Sequence, residues 1–309
     1  MTEVPHANSK FLQQRLPACR PILTPFISVI FYLCVCVVSL GLGLGYYFGN
    51  ANVWELSIRY DDQCENRNPC VINFEVEEDI ENRELFIYYE LTRVYQDNFM
   101  FTSSKSWAQL EDEYATGKSI KKCVPCREDE NGPIAPCGTV PLSLFNDTYS
   151  FSSGFPQFTD QGIAIPSVLK IYKQTNEKYE SPNAWLRNNP MFPGGQLNER
   201  FINWIQTAAF PKFRKLWAKT DGKVSLRKGS YRVTIANNYP VASFKGSKSL
   251  IIAETSFSGG HSMFMAWFFI AICVASGLMA VVVFLLHLMN CFPLYRAIAQ
   301  ESNPFIERK

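Results

Sequence analysis

The stretch FISVIFYLCVCVVSLGLGLGYYF, residues 26–48, decides the fold class of this chain. It lies within a longer segment, residues 21–54, that contains no Asp, Glu, Lys or Arg. As an α-helix its 23 residues would rise about 34 Å, enough to cross a hydrocarbon core of about 30 Å. This apolar region is far longer than that of a cleaved signal peptide, and a polar segment precedes it. We therefore predict a signal anchor that remains in the membrane.

A second apolar stretch, residues 264–288, lies near the other end of the chain, within a segment (255–295) that also lacks charged residues. The chain has 309 residues and is 47% hydrophobic, yet its mean hydropathy is only −0.07. Its apolar residues are therefore concentrated in these two stretches, which predicts two membrane spans flanking a large aqueous part. A net charge of +2 excludes a generally basic nucleic-acid binder.

The distribution of basic residues predicts the topology. Basic residues lie on the outer side of each span, which places both tails in the cytosol under the positive-inside rule; they are Lys10, Arg15, Arg20, Arg296, Arg308 and Lys309. The predicted segments are a cytosolic tail at 1–25, a first span at 26–48, a lumenal or extracellular ectodomain at 49–263, a second span at 264–288 and a cytosolic tail at 289–309.

Alternating apolar and polar residues predict strands near both ends of the ectodomain. The segments with a strand pattern are 54–60, 72–76, 85–91, 231–235 and 250–253. Pairing between the first and last of them would close the domain and bury the inward faces as a β-sandwich. The middle of the ectodomain predicts short helices, one after Asn198 as its N-cap and one formed by Phe213, Leu216 and Trp217.

Five cysteines fall in the ectodomain, which an oxidising compartment would allow to form two bridges. Cys64 and Cys70 enclose a short loop that suits a local bridge, whereas spacing leaves the pairing among Cys123, Cys126 and Cys137 open. The Cys123-Val-Pro-Cys126 motif precedes a polar loop rather than a helix, which disfavours a thioredoxin-like redox site. The sequence has one N-x-[ST] sequon, at Asn146, and its predicted lumenal position favours an attached glycan.

The sequence offers no catalytic constellation. Only His6, His261 and His287 are histidines, and no H-E-x-x-H or G-x-x-x-x-G-K motif occurs. We therefore expect no catalytic residue, no metal site, no cofactor and no small-molecule substrate of the chain's own.

One face of the first span has the pattern of a helix-packing surface. Gly41, Gly45 and Gly49 recur every four residues, as in the small-x-x-x-small motif. Three interpretations remain open: the face packs against a helix of a partner, the two spans of this chain pack on each other, or the glycines only reflect how common glycine is in membrane spans.

Several longer strings are more specific than these patterns. They are FIYYEL at 86–91, PIAPCG at 133–138, SLFNDT at 143–148, NERF at 198–201, FRKL at 213–216 and YPV at 239–241. With these strings in this order between two spans, the chain resembles the cell division control protein 50 family. The resemblance implies an antiparallel β-sandwich ectodomain on two membrane helices, Cys64–Cys70 and Cys123–Cys137 bridges, and a glycan on Asn146. Cys126 falls where the family pattern has no cysteine.

The resemblance also implies a function. Members of the family are non-catalytic accessory (β) subunits of type IV P-type ATPases, which flip phospholipids. This chain would form a heterodimer with such an ATPase α-subunit, contact membrane lipids, and support the folding, export from the endoplasmic reticulum and transport cycle of that partner. Its location would be the endoplasmic reticulum, Golgi or plasma membrane. The alternative is a subunit of a two-span homo-oligomeric ion channel, which the lack of polar pore candidates in residues 264–288 disfavours.

Overall fold

The computed structural model of the chain describes residues 24–255, 259 and 262–289. Of these, residues 24–49 and 262–289 belong to one compact unit, and the described residues from Asn50 to Gly259 belong to a second. The predicted tails at 1–25 and 289–309 lie almost entirely outside the described residues, as do the basic residues that set the topology. The predicted topology therefore stays a prediction.

The two apolar stretches are helices, α1 (Pro25–Ala51) and α7 (Phe264–Leu288), both long and apolar enough to cross a membrane. Helix α1 begins with proline at its first position, where a missing N–H leaves no hydrogen bond unmade. Thr24 Oγ1 accepts a hydrogen bond from the Ile27 N–H at 3.1 Å and so caps this end. Most large apolar side chains of both helices are exposed, as lipid-facing or partner-facing surfaces would be.

The second unit is built mainly of antiparallel strands. They are β1 (Glu55–Arg59), β2 (Cys70–Val76), β3 (Ile80–Arg83), β4 (Phe86–Leu91), β5 (Glu128–Asp129), β6 (Gly132–Pro133), β7 (Thr148–Phe151), β8 (Phe158–Thr159), β9 (Phe213–Thr220), β10 (Val224–Leu226), β11 (Gly229–Ala236) and β12 (Lys248–Ala253). A five-stranded sheet has the order β1-β12-β4-β9-β8, and a three-stranded sheet has the order β2-β11-β7. The pairs β10-β3 and β5-β6 form two smaller ribbons.

The alternation in the sequence corresponds to burial in the sheets. In β2, Ile72, Phe74 and Val76 are buried whereas Asn73 and Glu75 are exposed, so one face of the strand lies on the core. The predicted pairing of the two ends of the ectodomain is confirmed, because β1 pairs with β12 in antiparallel register over its whole length.

The two main sheets pack face to face. Tyr149 of β7 contacts Trp217 of β9 with ring centroids 5.0 Å apart, and buried side chains from both sheets form one hydrophobic core. The predicted fold class, two membrane helices with a mainly antiparallel β-sandwich ectodomain, is therefore confirmed.

Short helices fill the connections between strands. They are α2 (Phe99–Ser103), α3 (Trp107–Leu110), α4 (Thr139–Leu142), α5 (Pro166–Leu169) and α6 (Glu199–Ile205). The predicted N-cap of α6 is confirmed, since Asn198 Oδ1 accepts hydrogen bonds from the N–H groups of Arg200 (3.0 Å) and Phe201 (3.4 Å).

The predicted short helix at Phe213, Leu216 and Trp217 is wrong, because these residues belong to β9. The register of β4 against β9 shifts between Ile87 and Tyr88, which leaves Trp217 as the extra residue of a β-bulge. The bulge places Trp217 and Ala218 both in the core. Lys215 is also buried. The buried positions of β9 before the bulge therefore alternate, but one of them carries a charged residue, so the apolar pattern in the sequence does not show it.

Candidate functional site

The core of the ectodomain contains a buried ion pair that the sequence did not predict. Lys248 Nζ lies 2.7 Å from Asp147 Oδ2, and both side chains are almost completely removed from solvent. Lys248 belongs to β12, and Asp147 directly precedes β7 in the other sheet. The pair therefore connects the two sheets of the sandwich.

The Asp147 carboxylate has a full set of donors. Its Oδ2 also accepts a hydrogen bond from the Tyr60 hydroxyl at 2.7 Å, and its Oδ1 accepts from the N–H groups of Asn238 and Tyr239, both at 2.6 Å. Such saturation is what allows a charge to remain in a low-dielectric interior. Burial lowers the pKa of Lys248, and Asp147 opposes that shift. Burial also raises the pKa of Tyr60, as do the neighbouring Tyr149 and Asp147.

A second buried lysine caps the C-terminal end of helix α6. Lys215 Nζ donates hydrogen bonds to the carbonyl oxygens of Asn203 (2.8 Å), Trp204 (3.0 Å) and Gln206. Lys105 reaches the neighbouring carbonyl of Ile205 at 3.3 Å. Burial, with a smaller contribution from Lys105, lowers the pKa of Lys215 to about 7. These amines satisfy carbonyl groups that a helix end leaves unpaired.

The cysteines predicted as bridges lie in the ectodomain in two places. The structure joins Cys64, in the turn that follows β1, to Cys70 at the start of β2, with Cα atoms 5.4 Å apart. It joins Cys123 to Cys137, with Cα atoms 5.6 Å apart. Cys126 keeps a free thiol on a partly exposed loop.

The Cys123–Cys137 bridge lies in a small core that a buried glutamine completes. Gln109 Oε1 accepts a hydrogen bond from the Cys137 N–H at 2.8 Å. The next residue, Gly138, has φ +106°, and a Cβ there would lie 2.1 Å from the Ser104 carbonyl oxygen. Only glycine therefore fits this turn without moving the backbone.

The sequon asparagine lies beside the buried ion pair. Asn146 is half-buried and directly precedes Asp147, and its backbone carbonyl accepts a hydrogen bond from Asn238 Nδ2 at 3.1 Å. The sequon therefore lies at the edge of the buried polar cluster around Lys248 and Asp147, which joins the two sheets.

The structure distinguishes two faces of the glycine-rich part of α1. A Cβ added at Gly43 would lie 3.0 Å from Ile270 Cγ1 of α7, so this glycine lies at the contact between the two spans. A Cβ at Gly41 or Gly45 would meet nothing within 4 Å, and Gly49 is exposed. The predicted Gly41, Gly45 and Gly49 stripe is therefore not the surface through which the described spans pack together.

The ectodomain presents an exposed apolar surface, which we call the aromatic patch: Tyr95, Phe99, Met100 and Phe210. Their exposed fractions range from 62% to 83%. Two hydrogen bonds hold the 94–96 and 208–211 segments together, from the Val94 N–H to the Pro211 carbonyl (3.2 Å) and from the Ala208 N–H to Gln96 Oε1 (3.0 Å). Large exposed aromatic side chains on a fixed backbone are typical of protein-binding surfaces.

Comparison with known proteins identifies the family. The model of the LEM3 (ligand-effect modulator 3) family / CDC50 family matches residues 28–292. The chain is 32% identical to bovine (Bos taurus) cell cycle control protein 50A over 91% of this chain and 88% of the relative. It is 31% identical to human (Homo sapiens) cell cycle control protein 50B, over 90% and 93%. Its identity to ALA-interacting subunit 3 of Arabidopsis thaliana is 34%, over 83% and 79%. The chain therefore belongs to the CDC50 (LEM3) family.

Proposed function

We propose that this chain is the non-catalytic accessory (β) subunit of a type IV P-type ATPase that flips phospholipids. The observation that carries the proposal is the match to the CDC50 family over residues 28–292, which covers all of α7, the whole ectodomain, and α1 except its first three residues. The name of a relative, ALA-interacting subunit 3, describes a subunit that acts with another protein. In the proposed heterodimer, ATP hydrolysis and lipid movement belong to the larger partner.

The aromatic patch supports a specific role for the ectodomain. Tyr95, Phe99, Met100 and Phe210 would bind lumenal loops of the ATPase and bury their exposed rings there. Binding of this kind stabilises the partner only in its folded form. It would therefore help the ATPase to fold, to leave the endoplasmic reticulum and to pass through its transport cycle.

The glycine stripe supports a role for the first span. Gly41 and Gly45 have open space where a side chain would be, so a helix of the ATPase could approach the backbone of α1 closely. Close approach is the main source of stability for helix pairs in lipid, where the hydrophobic effect does not drive association. We assign the Gly41, Gly45 and Gly49 stripe to this contact.

The remaining assignments follow from the same function. Both tails would lie in the cytosol and the ectodomain in the lumen or outside the cell, in the endoplasmic reticulum, Golgi or plasma membrane. An oxidising compartment would keep the Cys64–Cys70 and Cys123–Cys137 bridges closed. Asn146 would carry a glycan, because its sequon lies in that compartment.

The test is purification of the tagged full-length chain in a mild detergent, followed by mass spectrometry of proteins that copurify. We expect a stoichiometric multi-span P-type ATPase. Recovery of homo-oligomers of this chain alone would contradict the proposal and favour the two-span ion channel. A Gly41→Leu, Gly45→Leu double variant should lose the ATPase. Leu40→Val should retain it, because Leu40 is exposed and lies about 100° around the helix axis from Gly41, away from the stripe.

A further inference from the structure

The two spans contact each other through the same short motif. Helix α1 contains Cys36-Val37-Val38-Ser39, and helix α7 contains Cys273-Val274-Ala275-Ser276. Ser39 and Ser276 are buried in the described chain. The Ser39 hydroxyl donates to the Val35 carbonyl at 2.7 Å, and the Ser276 hydroxyl donates to the Ile272 carbonyl at 2.8 Å. Both hydroxyls therefore donate to carbonyl oxygens of their own helix.

The thiols of this motif are in direct contact. Cys36 Sγ and Cys273 Sγ lie 3.0 Å apart, although the residues are 237 positions apart in the sequence. Both cysteines are free and partly buried, whereas the nearby Cys34 is exposed. Small residues lie along this contact: a Cβ at Gly277 would be in van der Waals contact with Cys36 Sγ at 3.7 Å, and Gly43 contacts α7 about two turns farther along α1.

This geometry is close to that of a disulfide. The sulfurs need to approach each other by about 1 Å to reach a bond length of about 2.05 Å. This approach would come from rotation about the Cα–Cβ bonds together with a small movement of the helices. Apolar side chains surround the pair, so the oxidant that reaches it must be soluble in the bilayer.

We propose that Cys36 and Cys273 form an oxidation site inside the membrane, where an organic hydroperoxide converts the thiol pair into a disulfide that links the two spans. One sulfur, written here as Cys36 Sγ, attacks the peroxide O–O bond, forming a sulfenic acid and releasing an alcohol. Cys273 Sγ then attacks that sulfur, forming the S–S bond and releasing water. Two thiol hydrogens and two electrons pass to the peroxide, so atoms and electrons balance. The inference does not depend on the proposed ATPase partner.

The arrangement of cysteines allows a direct test in the full-length chain. A site for a sequence-specific protease is inserted at Gly222, in an exposed turn between β9 and β10 where a side chain would meet nothing within 4 Å. Cleavage there leaves Cys273 and Cys291 as the cysteines of the C-terminal fragment, and both ectodomain bridges within the N-terminal fragment. A Cys291→Ser background makes Cys273 the sole cysteine of that fragment.

Membranes containing this protein are treated with cumene hydroperoxide, blocked with N-ethylmaleimide, cleaved, and analysed on a denaturing gel without reductant. We expect the two fragments to migrate together after oxidation and to separate after addition of a reductant. Mass spectrometry should recover a peptide pair joined through Cys36 and Cys273. This identification uses the chain with both thiols intact, so it does not rely on a substituted span folding correctly.

The controls separate this site from the neighbouring cysteine. Cys36→Ser and Cys273→Ser should each abolish the linked species, whereas Cys34→Ser should leave it unchanged. Fragments that separate after peroxide treatment of the chain with both thiols would overturn the proposal. A linked species that persists in Cys36→Ser, or a peptide joined through Cys34, would overturn it equally.

Discussion

Lys248 Nζ and Asp147 Oδ2 are 2.7 Å apart inside the ectodomain, with 2% and 0% of their side chains exposed. The lysine lies on the five-stranded sheet, and the aspartate adjoins the three-stranded sheet. A buried pair of this kind is a strong constraint, because loss of one partner leaves an uncompensated charge in the interior. The relative placement of the two sheets therefore depends on it.

Breaking the buried pair should strongly destabilise the protein. Asp147→Asn and Lys248→Met each remove one charge, and Asp147→Asn keeps the Asn146 sequon intact. We expect a loss of about 3–5 kcal/mol, measured as a large fall in the midpoint of thermal denaturation of the full-length chain. Glu128→Gln is the matched control, because Glu128 and its partner Arg127 are both exposed and such pairs contribute about 0–1 kcal/mol. Equal effects of the buried and exposed substitutions would contradict this role.

Removing the buried amine of Lys215 should change how stability depends on pH. Its pKa in the folded protein is about 7, below the ordinary value of 10.5, so the unfolded chain binds more protons between these values. The contribution of Lys215 to stability therefore rises as the pH increases from 7 toward 10.5, by at most about 1.4 kcal/mol per pH unit.

The measurement for Lys215 is the stability difference between the parent chain and Lys215→Met at pH 6, 7, 8 and 9. Below pH 7 the difference should be constant, because the amine is protonated in both states. Above pH 7 the parent chain should become progressively more stable relative to Lys215→Met. A difference that is independent of pH across this range would show that the amine does not titrate in this window.

Replacing Gly138 should be more damaging than replacing another glycine of similar conformation. Gly138→Ala places a Cβ 2.1 Å from the Ser104 carbonyl oxygen, whereas Gly154, with φ +96°, has nothing within 4 Å. Both substitutions incur the cost of a side chain at positive φ, about 1–3 kcal/mol, but only Gly138→Ala adds a collision with the backbone. The midpoint of thermal denaturation should fall clearly further for Gly138→Ala, and equal falls would contradict the crowding at this turn.

Opening the larger disulfide loop should impair folding and export. Cys123→Ser removes a bridge across 14 positions, which the loop-entropy model values at about 2–4 kcal/mol. We expect retention of this chain, and of its copurifying ATPase, in the endoplasmic reticulum, measured by glycan maturation and surface labelling. Cys126→Ser is the control, because Cys126 has a free thiol, and it should behave like the parent. Normal export of Cys123→Ser would argue against a structural bridge.

Much of the fold could be predicted from local patterns. Strands such as β2 alternate buried and exposed residues, and Asn198 has the side chain that an N-cap requires. The strand β9 could not be predicted in this way. The bulge at Trp217 and the buried Lys215 interrupt the alternation of apolar and polar residues in β9. As a result its apolar residues Phe213, Leu216 and Trp217 recur with the spacing of a helix.

The buried ion pair and the open face of α1 could be identified only from the structure. Asp147 and Lys248 are 101 residues apart, and a charged residue is ordinarily expected at the surface, so neither indicates the pair by itself. The period of Gly41 and Gly45 identifies a helix face, but not what covers it. Only the position of α7 against Gly43 shows that the stripe is open in the described chain.

The most direct test of the account is lipid movement in proteoliposomes that contain either this chain alone or its complex with the copurified ATPase. We expect ATP-dependent translocation of fluorescent phospholipids by the complex, and neither lipid nor ion movement by the chain alone. Lipid translocation or ion conductance by the isolated chain would contradict the claim that it is a non-catalytic accessory subunit.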